Sequence, residues 1–247
     1  MANRAVIKLS GEQIGQGGGD SFYNDVLIEG ILCQIKSVVE SGTEVAIIVG
    51  GGNIWRGRSA APRMNRVKAD HIGMLATVMN GLYLGDFFRQ MGVAVSVMTP
   101  VPFGHFTTIF QKEKAQNLMK NGTVVINAAG LGHPLFSTDT VTALRAAELE
   151  ADIVLFAKTV DGVYTEDPRQ NPDAKKYKSL SYGHAISNGL GIADTAALTM
   201  LLEAGILSYV FRLDYPDGIR LACRYPETQN LEGTVLGANL QEVFYGH

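Results

Sequence analysis

Apolar residues in this chain follow two alternating patterns. Short aliphatic, β-branched runs at 5–9, 44–49, 93–98, 123–127, 153–157 and 207–213 read as buried strands. Between them lie stripes of helical period. In the first, Leu27, Ile28, Ile31, Leu32, Ile35, Val38 and Val39 recur at i, i+3, i+4, i+7 until Gly42 stops the pattern. Further helices are expected over 66–91, over 111–120, from Ser137 to about Glu150, and over 194–204. Pro100 and Pro102 close the strand at 93–98. The tail reads as β, with 221–224 and 234–236 as its strands.

Strands alternating with helices over this length call for an α/β fold, a mainly parallel sheet with helices on both faces. In such sheets ligands bind beyond the carboxyl ends of the strands. Four stretches with chemical potential sit at those ends: 8–11, 50–56, 130–139 and 158–167. No internal repeat, low-complexity tract or linker interrupts the chain.

Composition narrows the partners. With 247 residues, 46% hydrophobic and 18% charged, the chain makes one large domain or two small ones. That length buries roughly 70–75% of the unfolded surface without help from a disulfide or metal. A net charge of −3, with both signs spread along the chain, argues against a nucleic-acid surface but leaves room for a small basic pocket. Cys33 and Cys223 lack metal-ligand spacing; Cys33 is expected in or near the core, and such low cysteine use fits a reducing cytoplasm. The first residues lead straight into a strand, so no signal peptide is expected, and no apolar run approaches the roughly 18 residues of a membrane helix.

The glycine triplet Gly50-Gly51-Gly52 follows the second strand. Its residues are expected to take torsions closed to other side chains and to expose backbone N–H groups to a phosphate. Arg56 could bring a charged fork to the same anion; the bland alternative is a flexible corner. Lys8 stands among apolar strand residues, where an ammonium is costly unless it meets an anion or reaches solvent. Asp70 could favour a helix N-terminus or accept ribose hydroxyls. Ser137-Thr138-Asp139 could cap a helix, and Asp139 could alternatively hold Mg²⁺ or orient a lysine at a transferring phosphoryl group. Asp161-Gly162-Val163-Tyr164 and Asp167-Pro168 read as a surface hairpin or as a base-stacking aromatic with its flank. His71, His105, His133 and His184 show no metal or nucleophile spacing, and neither G-x-S-x-G nor the P-loop pattern occurs.

Taken together, these residues resemble a known family. Lys8-Leu9-Ser10-Gly11-Glu12 and Gly50-Gly51-Gly52-Asn53 to Arg56-Gly57 look like the amino acid kinase superfamily. The runs Met64-Asn65-Arg66-Val67 and Asp70 to Leu82 closely resemble the bacterial UMP kinases (uridylate kinases) within it. Thr138-Asp139 with Arg145, the run 148–152, the run 160–165, Asp167-Pro168 and Glu232-Gly233-Thr234 match in the same order. The resemblance implies one three-layer αβα sandwich over 1–247, with a nucleoside-monophosphate half at roughly 1–150 and an ATP half at roughly 151–247. It implies phosphoryl transfer from ATP to UMP with Mg²⁺, a homohexamer, activation by GTP and inhibition by UTP. By position, Lys8, Leu9, Ser10, Gly11, Gly52 and Arg56 would line the ATP phosphates, with Thr159, Tyr164 and Asp167 on the adenine nucleotide and Lys158 as the neighbouring candidate. Gly51, Asp70, Leu131, Gly132, His133, Pro134, Leu135, Phe136, Ser137 and Thr138 would hold UMP, with Asp70 on the ribose. Lys8, Arg56, Asp139 and Asp194 would form the catalytic set. The loop Gly-Leu-Gly-His-Pro at 130–134 departs from the family's usual polar residues, and 16–24 and 101–112 also differ. The rival readings are a related kinase with a carboxylate or carbamate acceptor, and a non-catalytic nucleotide- or oxyanion-binding assembly on the same fold.

Overall fold

The computed structural model describes residues 2–15, 21–55, 64–225 and 232–245. Arg56 and most of the 16–24 segment fall outside these. Strands β1 (Arg4–Leu9), β2 (Glu44–Val49), β3 (Val95–Thr99), β5 (Val124–Asn127), β6 (Ile153–Lys158) and β9 (Leu207–Arg212) are the six read from the apolar runs. Helices α2 (Asp25–Glu40), α3 (Arg66–Gln90), α4 (Lys112–Lys120), α5 (Thr138–Leu149) and α7 (Thr195–Ala204) match the periodic stripes. The remaining elements are α1 (Gly11–Ile14), β4 (Thr108–Ile109), β7 (Val163–Tyr164), β8 (Lys176–Ser181), α6 (Tyr182–Ser187), α8 (Gly218–Ala222), β10 (Thr234–Gly237) and β11 (Val243–Phe244).

All strands join one sheet in the order β11-β8-β10-β9-β6-β1-β2-β5-β3-β4, with β7 paired to β8. From β9 to β4 every pairing is parallel; β10 runs antiparallel to β9. Side chains alternate across a strand, so each strand feeds two cores. Ala5, Ile7 and Leu9 pack with α2, α3 and α8 on one face. Val6, Ala46, Ile48, Val154 and Phe156 pack with α4, α5 and α7 on the other. Lys8 shares its face with Val6, and Lys158 shares its face with Phe156. Both ammoniums are therefore placed on the α5 side at the sheet's carboxyl edge.

Two expectations fail for reasons of helical spacing. The 221–224 strand is instead α8 and the turn after it, because Ile219, Ala222 and Cys223 fall at i, i+3, i+4 and bury together against the first core. Cys33 is exposed, since α2 turns Ile31, Leu32 and Ile35 inward and leaves the next position outside.

The glycine corner after β2 is set by crowding, not by unusual torsions. None of Gly50, Gly51 and Gly52 has a positive φ. A Cβ on Gly51 would lie 2.9 Å from the Ala76 Cβ and 2.9 Å from the Gly73 carbonyl of α3. A Cβ on Gly11 would come within 2.4 Å of the Gly52 nitrogen and 2.9 Å of the Gly50 carbonyl oxygen. The corner is thus clamped backbone to backbone between α1 and α3, and the Gly50 amide donates to Leu9 O at 2.9 Å.

A second junction joins the N-termini of α5 and α7. The Ser137 hydroxyl caps α5, accepting from the Asp139 and Thr140 amides at 3.0 and 3.2 Å. Asp194 caps α7, accepting from the Ala197 amide at 2.8 Å, and also accepts from the Ser137 and Thr140 hydroxyls. Burial opposes the ionised carboxylate, but these hydrogen bonds outweigh it and hold Asp194 below its ordinary 3.8.

One variant at each junction and a control on exposed α2 test these points. Gly11→Ala must displace backbone and is expected to cost ~1–3 kcal/mol in urea unfolding. Gly30→Ala, on the exposed side of α2 with no atom within 4 Å of the added carbon, is expected to add ~0.5–1 kcal/mol. Asp194→Ala is expected to cost ~1–2 kcal/mol at pH 7. Because the folded pKa lies below 3.8, both states are ionised above that value and the whole contribution is present. Below it the unfolded chain takes up its proton first. The gap between wild type and Asp194→Ala should therefore be constant from pH 7 to about pH 5 and close as pH falls through the folded pKa.

Candidate functional site

β1 sits where the connections diverge: the chain leaves it for β2 on one side and later returns to β6 on the other. The crevice beyond its carboxyl end is the switch point of the sheet. Lys8 Nζ lies 2.6 Å from Asp139 Oδ1, and both side chains are mostly buried, 14% and 17% exposed. The costly lysine of the first strand has therefore met its anion, from the first turn of α5. Lys158, at the end of β6, donates to the Ile192 carbonyl, and its charge is felt by both Lys8 and Asp139. Burial pulls the Lys158 ammonium below its ordinary range; Asp139 opposes that and Lys8 reinforces it. Two lysines and one aspartate thus share the edge between β1 and β6.

A cleft of about 760 Å³ opens from this point between the glycine corner, α3 and the loop before α5. Gly51, Gly52, Asp70, His133, Leu135, Phe136, Ser137, Thr138, Asp139 and Asp194 all line it. Leu131, Gly132 and Pro134 do not: Leu131 packs against the second core, and Gly132 rests on Pro100 and Val101. Asp70 projects from the second turn of α3. One oxygen pairs with Arg66 Nε at 2.9 Å and the other accepts the Leu135 amide at 2.9 Å. That bond holds Leu135 at φ 73°, a conformation that leucine rarely adopts, and leaves its side chain and that of Phe136 exposed over the cleft. Thr77, one helical face further along, accepts the Ala129 amide at 2.7 Å. Helix α3 therefore holds the loop at both ends.

On the other side of Lys8, a second pocket of about 410 Å³ is lined by Lys158, Tyr164, Asp167, Gly189, Gly191 and Ile192, among others. Tyr164 donates to Asp161 at 2.9 Å; burial and then this bond push its phenol up to about 12. Asp161 in turn pairs with Lys176 at 2.8 Å, which fixes the β7–β8 hairpin. Asp167 is held by Arg169 at 2.9 Å. Thr159 lines a third hollow, of about 450 Å³, with Glu12, Gly52 and Asn53. Ser10 stands as the N-cap residue of α1 and Gly11 as its first residue, while Leu9 is fully buried beneath them.

Most of the described site residues thus line three hollows: Gly52 lines the first and the third, Asp139 the first, and Lys158 the second, while Lys8 stands against Asp139. Thr77, Thr140, Asp161 and Lys176 were not singled out as site residues in the sequence. Thr77 and Thr140 bond to partners 52 and 54 residues away, which no local pattern shows, while Asp161, quoted only as part of a turn, pairs with Lys176 15 residues on. Lys158 carried a signal, as a second strand-end lysine on the inward face. Chemically the arrangement sets two mostly buried lysines, one carboxylate and a close-packed glycine backbone at the carboxyl ends of β1, β2 and β6.

The amino acid kinase family model matches residues 3–212. Among solved structures, a UMP kinase from Bacillus anthracis is 34% identical, with a TM-score of 0.92 over 99% of this chain and 99% of that one. A UMP kinase from Ureaplasma parvum is 33% identical, with a TM-score of 0.88 over 96% of this chain and 99% of that one. A uridylate kinase from Archaeoglobus fulgidus is 25% identical, with a TM-score of 0.69 over 94% and 99%. The single mixed sheet, its switch-point crevice and this match over most of its length make the chain a member of the amino acid kinase family.

Proposed function

We propose that this protein transfers the γ-phosphoryl group of ATP to UMP, giving ADP and UDP. The observation that carries the reading is the Lys8–Asp139 pair at the carboxyl end of β1, with Asp139 lining the 760 Å³ cleft, on a chain similar to UMP kinases over nearly its whole length. In the reaction a UMP phosphate oxygen forms a bond to the γ-phosphorus while the bond to the β,γ-bridging oxygen breaks, its electrons leaving with ADP. The acceptor oxygen is already ionised at neutral pH, so no general base is needed. Catalysis is positioning and charge stabilisation.

In this reading the 760 Å³ cleft takes UMP. Asp70 accepts from the ribose, and Gly51 and the 135–138 backbone approach the phosphate at the N-terminus of α5. ATP lies along Gly52, Thr159 and Lys158, with its base near Tyr164 and Asp167. Lys8 neutralises charge on the moving phosphoryl oxygens, and Asp139 aims Lys8. Asp194 keeps both helix N-termini at the centre, and Arg56 supplies a further charged fork. Mg²⁺ enters with ATP as part of the substrate and neutralises phosphate charge. Among the described residues no group of three or more Asp, Glu, His or Cys stands together.

The same reading carries a cytoplasmic homohexamer in pyrimidine nucleotide synthesis, activated by GTP and inhibited by UTP, with the monophosphate half at roughly 1–150 and the ATP half at roughly 151–247. Leu75 and Met79, one turn apart on α3 and about half exposed, are suited to a subunit contact. No helix among the described residues is long and apolar enough to cross a membrane.

The test is a panel of acceptors with ATP and Mg²⁺, followed by ADP release with and without GTP. UMP should be turned over. Acetylglutamate, glutamate, aspartate and carbamate should not, and turnover of one of these in place of UMP would overturn the reading. Lys8→Ala and Arg56→Ala should each lower kcat about 10³-fold, and Lys8→Ala should also lower the melting temperature because it leaves Asp139 buried without its partner. Asp70→Asn should raise the KM for UMP about tenfold or more, the scale of a lost charged hydrogen bond.

A further inference from the structure

Asn80 lies in the middle of α3 and is fully buried, yet it lines none of the clefts described above. A buried carboxamide in a helix interior is unfavourable unless all its groups are answered. Here they are. Its Nδ2 donates to the Gly50 carbonyl at 2.7 Å and to Asn53 Oδ1 at 2.7 Å. Its Oδ1 accepts from Asn53 Nδ2 at 3.1 Å. Asn53 uses its second amide hydrogen on the Phe22 carbonyl at 2.9 Å, in the segment leading to α2. The two amides form a closed reciprocal pair, and each also holds one backbone carbonyl. One end is the glycine corner; the other is the Phe22 wall of the hollow lined by Gly52 and Thr159.

We infer that Asn80 is a positioning residue for phosphoryl transfer, acting through Asn53 to fix the Gly50–Gly52 backbone between the two clefts. The inference rests on the phosphoryl-transfer reading of that corner. Three glycines without side chains cannot hold their own geometry by packing. Gly11 and Gly51 limit the corner by steric contact, which prevents approach but does not set direction. The amide pair sets direction, since each of its hydrogen bonds has one angle and one distance. Lys8 and Asp139 are fixed from β1 and α5, independently of α3. Loosening the corner therefore moves the backbone amides relative to a stationary Lys8. A displacement of that kind, of about 1 Å, is enough to cost about a hundredfold in rate.

The variants are Asn80→Leu, which keeps the branched shape and removes both donors and the acceptor, and Asn53→Ala, which cuts the same pair from its partly exposed side. Together with their double mutant they form a cycle. Each single variant should lower kcat about a hundredfold with the KM for UMP within threefold. The double should lose no more than the worse single, because the pair works as a unit. A residue that merely fills space in α3 would lower the melting temperature, and its effect on kcat would multiply with that of Asn53→Ala. Amide hydrogen exchange of the 49–53 peptide, without substrate, should speed up in both single variants. Unchanged exchange, or multiplicative losses in kcat, would overturn the inference. Exchange needs no turnover, so it decides the clamp even if wild type failed to phosphorylate UMP, a result that would count against the proposed function alone.

Discussion

A lysine placed at the carboxyl end of the central strand of a buried sheet must be answered by an anion, and here that anion is Asp139. Much of the site follows from meeting this one demand. Asp139 can reach Lys8 because α5 begins where it does. It begins there because Ser137 caps it, and Ser137 is itself tied to Asp194 at the start of α7. The ion pair thus reaches through two helix N-termini into the face of the sheet. In a partly buried setting such a pair gains little net stability over apolar residues of the same size. Its value lies in holding one charge at one place, against an aspartate that lines the crevice.

Most of what lies along the parallel strands could be read from the sequence. A strand end is a local feature: Lys8, the glycine corner and Asp139 each stand beside the apolar run or helix cap that reveals them. The six main strands and five long helices followed from period alone. Elements that exist only through pairing did not. β4, β7 and β11 are two residues long, and β8 alternates lysines and serines around Tyr177 and Leu180. The α8 segment shows three apolar residues in a row, Leu221, Ala222 and Cys223, between Arg220 and Arg224, and only the burial of Ile219 with Ala222 and Cys223 separates helix from strand. Contacts such as Asp194 with Ser137, 57 residues apart, have no trace in local pattern.

The glycine corner shows a subtler limit. Glycine is used for two reasons, freedom of torsion and absence of Cβ, and a sequence cannot say which applies. Torsional freedom was the natural expectation for three glycines in a row. The structure gives the other reason: ordinary torsions, and neighbours at 2.4–2.9 Å from where a Cβ would stand on Gly11 and Gly51. The distinction changes what the corner is. A torsionally free triplet would be a hinge, whereas a crowded one is a wedge between α1 and α3. Asp70, Thr77 and Asn80 belong to the same helix, so α3 holds the 129–135 loop at two points and the corner at a third.

The charge arrangement at the junction then acquires a direction. Two ammoniums, Lys8 and Lys158, share the single carboxylate of Asp139, while the hydrogen-bonding capacity of Asp194 is turned toward helix N-termini. The centre is therefore short of negative charge, and burial strains Lys158 in particular, lowering its preference for the charged form. On the proposed reaction, an incoming chain of phosphates makes up that deficit and favours the protonated Lys158. Donor binding and the charge state of the site are then coupled, because the phosphates stabilise the form of the lysine that in turn stabilises them. On that reading the cost of burying two lysines side by side is offset when the transferring group arrives, which favours a polyphosphate over a neutral ligand.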